Sequence, residues 1–121
     1  MTALYIAFLS IFLGVLAQLA LKKGMNDIGL IDLSKITEIS LLFEIFTNKY
    51  VLLGLSFYVF GLFTWLIALS HMDVSQLYPL QSLGYVIVLL GSFAFLGESL
   101  SLYRTFGIFL ITIGSLFVMK N

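Results

Sequence analysis

Tyr78, Gln81, Ser82 and Tyr85 fall at i, i+3, i+4 and i+7, the spacing that stacks side chains on one face of a helix. Their hydroxyls and amide donate and accept hydrogen bonds without carrying charge. The stretch that holds them, LYPLQSLGY, also contains Pro79, the single proline of the chain, and its flanks are Leu, Val, Ile and Phe. A proline removes one backbone donor and frees a carbonyl about a turn earlier. Such a patch suits a polar solute that must be held and then released. The same groups also serve as hydrogen-bonding glue between helices, and residue types alone leave both readings open. Ser92 continues the stripe two turns on.

A second line runs through Ser10, Gly14, Gln18 and Lys22, spaced by four and drifting slowly around one helix face. Gln18 is the amide deep in this run, and Lys22 has the stem length to reach the headgroups. Covalent chemistry finds less support. The chain has no cysteine, so thiolate catalysis, disulfides and Cys-ligated metals are excluded. His71 has no ligand cluster at metal spacing, so no metal or cofactor is expected, and no basic tract suggests nucleic acid. No Asp or Glu lies within an apolar run; Asp73 and Glu98 stand at the ends of runs. A proton-coupled exporter of cations needs a buried carboxylate that exchanges protons for substrate, and none is evident.

The elements that must position these residues follow from composition. The 121 residues are 61% hydrophobic and 10% charged, with net charge zero, whereas soluble domains are nearer a quarter charged. The mean hydropathy is +1.14. These values predict an all-α integral membrane protein, a single membrane domain over residues 1–121. A bilayer core about 30 Å thick takes about 20 apolar residues per helix. Four runs qualify, at about 3–21, 50–70, 74–96 and 102–119. The first is too long for a signal peptide and ends in Lys22-Lys23-Gly24, without a small-residue cleavage site. Asp73 and Gln76 have capping-box spacing at the start of the third run. Residues 22–49 form the long link, where charges among Ile, Leu and Phe suit either an interfacial amphipathic helix or an ordered loop on the helix ends.

Lys22, Lys23, Lys35, Lys49 and Arg104 fall on one side of this arrangement and Lys120 on the other. The positive-inside rule then places the first and third links in the cytoplasm and both termini outside. Three runs carry a glycine pair at a spacing of seven: Gly54 and Gly61, Gly84 and Gly91, Gly107 and Gly114. Each pair marks one face for close helix packing. Four helices hardly enclose a polar path, so a transporter of this size is expected to dimerise.

Several segments carry a family resemblance. LAQLALKKG and GESLSLYRTFGIFLITIGSLFV, with four helices, resemble the drug/metabolite transporter superfamily. Small multidrug resistance proteins share the length and the ESLSL segment, but they place a glutamate where this chain has Gly14, and LQSLGY departs from their Trp-Ser-Gly signature. The chain more closely resembles EamA-like small proteins, in particular the subunits of the flippase for undecaprenyl-phosphate-linked aminoarabinose. Gln18-Leu19 and Lys22, Trp65-Leu66, Tyr78-Pro79 and Ser82-Leu83 carry that likeness, which covers all but the long first link. The resemblance implies a homodimer, or a heterodimer with a paralogue, in the inner membrane of a prokaryote. It implies movement of a polar headgroup across that membrane, with polyprenyl phosphate as the lipid partner and no enzyme chemistry. Gln18, Tyr78, Pro79, Gln81, Ser82 and Tyr85 would line the path. Lys22 and Arg104 would meet the lipid phosphate, or serve only as topology anchors. Two alternatives stay open: an exporter of small polar or cationic compounds, and a non-transporting accessory subunit.

Overall fold

A computed structural model describes residues 2–120. Four helical stretches are long and apolar enough to cross a membrane, and no strand occurs among the described residues. The first, α1 (Thr2–Ile28), outlasts its apolar run by a full two turns. Hydropathy ends at Leu21, but the helix runs on through Gly24 as far as Gly29, whose φ of 89° closes it in a left-handed conformation. Lys22 and Lys23 therefore sit on a rigid helix and not in the link. The link is correspondingly shorter. It holds a 3-10 turn at Leu33–Lys35 and α2 (Ile39–Thr47). Asp32 caps the turn, and hydrogen bonds from the Ser34 backbone and hydroxyl hold its carboxyl below the usual range.

Asn48 starts the next span, α3 (Lys49–Leu69): its Oδ1 accepts from the backbone N–H of Tyr50 at 2.9 Å and of Val51 at 3.2 Å. The third span is interrupted. It divides into α4 (Val74–Leu80), which contains Pro79, and α5 (Leu83–Leu96). Across the join the backbone bonds run three residues back, from Gln81 to Tyr78 and from Ser82 to Pro79, instead of four. Asp73 occupies the N-cap of α4 without a side-chain capping bond. The capping box expected with Gln76 does not form, because the Gln76 amide donates instead to the Met119 carbonyl of the last helix at 3.5 Å. That helix, α6 (Leu102–Lys120), follows Gly97, which ends α5 at a φ of 71°.

α1 is the central element. It runs antiparallel to α3, and a Cβ built at Gly54 would lie 2.7 Å from Leu21 Cγ and 2.9 Å from the Ala17 carbonyl. The Ser10 hydroxyl donates to the Gly61 carbonyl at 2.9 Å across the same contact. On its other side α1 runs parallel to α5, where Gly84 faces Ile11 and Val15 and Gly91 faces Leu19. Gly107 and Gly114, on α6, have open space where a Cβ would stand. The apolar core gathers at the end that carries the termini, around Ala7, Ile11, Ala68, Leu77 and Leu80. Most other large apolar side chains are exposed, the distribution expected where lipid is the solvent.

Candidate functional site: a groove between the first, second and third spans

Every fourth residue of α1 from Ser10 to Lys22 lines a cavity. Ser10 and Gly14 border one of about 340 Å³, together with Tyr58, Trp65, Tyr78 and Gln81. They also border a second of about 200 Å³, which adds Gln18 and Tyr85. Gln18 and Tyr85 continue into a third of about 420 Å³, where Lys22, Ser92, Glu98 and Arg104 appear. Shared walls join the three into one groove along α1. At 1.5 Å per residue, its α1 wall from Ser10 to Lys22 is about 18 Å long, more than half a bilayer core.

The groove has a chemical gradient. Its central part sets the amides of Gln18 and Gln81 and the hydroxyls of Ser10, Tyr58, Tyr78 and Tyr85 among apolar walls that include Ile11, Val15, Leu62 and Val88, and no charged side chain lines it. Gly14 contributes no side chain, and nothing lies within 4 Å of where its Cβ would be. Charge enters only at the end formed by the C-terminal half of α1 and the start of α6, where Lys22, Arg104 and Glu98 line the same cavity. Gln18, Tyr58, Tyr78, Gln81 and Tyr85 are all exposed in the single chain, so the groove opens sideways.

The four-residue stripe of the third span divides. Tyr78, Gln81 and Tyr85 line the groove, whereas Ser82 is buried and turned onto α6. Its hydroxyl hydrogen-bonds with the hydroxyl of Ser115 and reaches the Pro79 carbonyl at 2.6 Å, while Ser115 donates to the Ile111 carbonyl at 2.9 Å. The physical cause is the join after α4: a stretch bonded three residues back turns about 20° more per residue than an α-helix. Pro79 itself lies inside α4, half-buried, outside the groove lining. Sequence reasoning gave Tyr58 no role and placed Glu98 only at a helix end. Tyr58 and Trp65 are spaced by seven around Gly61, and that repeat was the available signal.

Lys23 and Lys49 lie outside the groove. Each places its ammonium 5.1 Å from the centroid of the Tyr50 ring, which anchors both cations beside the N-terminus of α3. Among the described residues, no group of His, Cys, Asp and Glu could hold a metal ion.

Residues 48–120 match the EamA-like transporter family. The whole chain is similar to curated proteins. It is 36% identical over 127 residues to the probable 4-amino-4-deoxy-L-arabinose-phosphoundecaprenol flippase subunit ArnF of Shewanella sediminis, covering 98% of this chain and 88% of that one. To the protein of the same name in Yersinia enterocolitica it is 34% identical over 107 residues, covering 87% and 84% of the two chains. To that of Serratia proteamaculans it is 32% identical over 108 residues, covering 87% and 82%. No solved structure matches the chain. With four spans, a family match over more than half of its length and these relatives, the chain belongs to the EamA-like transporter family and is a multi-pass membrane transporter.

Proposed function

We propose that this chain is a subunit of a flippase that carries the headgroup of a polyprenyl-phosphate-linked amino sugar across the inner membrane of a bacterium. The lipid tail stays in the bilayer. One observation carries the reading: a groove, open sideways, whose amides and hydroxyls stand among apolar walls without a charge along its middle and with Lys22 and Arg104 at one end. A side opening lets a headgroup travel in the protein while its tail remains in lipid. Gln18, Tyr78, Gln81 and Tyr85 offer hydrogen bonds to sugar hydroxyls, and they do so without the cost of a bare charge in the membrane. Lys22 and Arg104 supply charge-assisted bonds to the phosphate at the basic end. By the positive-inside rule that end is cytoplasmic and both termini are outside. The relatives named as subunits of an aminoarabinose-phosphoundecaprenol flippase support the substrate class and the need for a second subunit. No bond is made or broken in this cycle, so the protein works as a carrier and not as an enzyme.

The test is headgroup translocation in proteoliposomes that contain the amino-sugar lipid, read by a membrane-impermeant amine reagent. Gln81→Leu removes the amide at the middle of the groove. It should slow translocation about tenfold, the worth of one hydrogen bond to a polar headgroup, with unchanged expression and thermal stability. An unaltered rate would remove Gln81 from the path. Wild-type protein that assembles with its partner and moves no headgroup would favour a purely organising subunit.

A further inference from the structure

The cavity at the basic end contains one carboxylate, that of Glu98, beside Lys22, Arg104, Gln18, Tyr85 and Ser92. Its position is set by the backbone. Gly97 adopts a left-handed φ of 71°, and the N–H of Glu98 then bonds back to the Ser92 carbonyl at 3.1 Å. This turn folds residue 98 over the last turn of α5, and Glu98 ends half-buried against the cavity. A site that recognised phosphate alone would gain nothing from a carboxylate, because an anion repels the anionic ligand. A headgroup with a phosphate at one end and an amine at the other suits both signs of charge.

We propose that Glu98 is the amine-recognising group of this transporter. Lys22 and Arg104 take the phosphate of the headgroup while the Glu98 carboxylate accepts hydrogen bonds from its ammonium. The inference rests on the flippase reading and deepens it: the cavity selects free-amine sugar phosphates over the same lipid without an amine. The Gly97 turn supports the selection, because it fixes the backbone of Glu98 relative to the end of α5 and so the reach of its carboxylate.

The experiment measures binding to the assembled transporter, this chain with whatever subunit is extracted with it, in nanodiscs by native mass spectrometry with three probes. These are polyprenyl phosphate, its 4-amino-4-deoxy-arabinosyl ester, and the N-acetylated form of that ester. Wild-type protein should bind the free-amine ester about tenfold more tightly than the N-acetylated one, the worth of one hydrogen bond between charged groups. This comparison needs no variant. Glu98→Gln should abolish that preference while polyprenyl phosphate binds as well as before or better. A carboxylate that merely offsets Lys22 and Arg104 would instead let Glu98→Gln strengthen all three probes equally, and that result overturns the proposal. Equal binding of the two esters by the wild type overturns it too, but leaves the flippase reading standing through the phosphate. If no probe binds the wild type, the flippase reading falls and this inference falls with it.

Discussion

A methyl group added at Gly54 would meet Leu21 Cγ at 2.7 Å and the backbone carbonyl of Ala17 at 2.9 Å. The side chain can turn aside; the carbonyl belongs to α1 and cannot. Gly54→Ala should therefore push α1 and α3 apart and lower stability by about 1–3 kcal/mol, read as a fall in the melting temperature of the detergent-solubilised protein. Gly107→Ala is the matched control. Nothing lies within 4 Å of its added methyl group, and alanine favours the helix, so the melting temperature of the solubilised chain should hold or rise. The two glycines look alike in sequence, each opening a pair at a spacing of seven. Spacing reveals that a smooth face exists, but what covers that face depends on how the helices assemble.

The join between α4 and α5 shows what a single residue does to an element. Pro79 has no N–H to offer the Ser75 carbonyl one turn back, and two residues later the helix tightens and restarts at Leu83. Ser82 then faces α6, where its hydroxyl and that of Ser115 have one proton each for two carbonyls and each other. A double-mutant cycle of Ser82→Ala and Ser115→Ala should give a coupling of about 0.6 kcal/mol, the usual size between membrane helices. A coupling of zero would mean that the pair only fills space. Pro79→Ala should restore the missing donor and slow translocation, by less than Gln81→Leu, if the break shapes the groove. The sequence made the four spans and the α1 wall legible because hydropathy and a spacing of four survive in regular helix. It misdirected the facing of Ser82 because periodicity was carried across a proline as though the helix were continuous. The extra turns of α1 were missed for a different reason: hydropathy marks where the lipid ends, and this helix runs on past Gly24 until the left-handed backbone at Gly29 stops it.

At the scale of the whole molecule, the decisive fact is that Gln18 and Gln81 are exposed within membrane-spanning helices. An amide facing hydrocarbon without partners costs several kcal/mol. A lone chain leaves both open along with the groove, while α6 shows an uncovered face at Gly107 and Gly114. A second chain across the groove would relieve the first cost and turn a lateral cleft into a path. Orientation is accessible because the chain has no cysteine to interfere. Ser34→Cys should react with an impermeant maleimide only from the cytoplasmic side and His71→Cys only from outside; the reverse pattern would invert the proposed topology. Assembly is best read by native mass spectrometry of protein extracted gently from its own membrane. The expected species is a dimer, of two copies or of this chain with a paralogue, that retains a polyprenyl-phosphate lipid. A dimer with no such lipid would keep the assembly and shift the cargo toward small polar solutes. A stable monomer would leave two membrane amides with only lipid to face, and water threading the groove would then have to satisfy them.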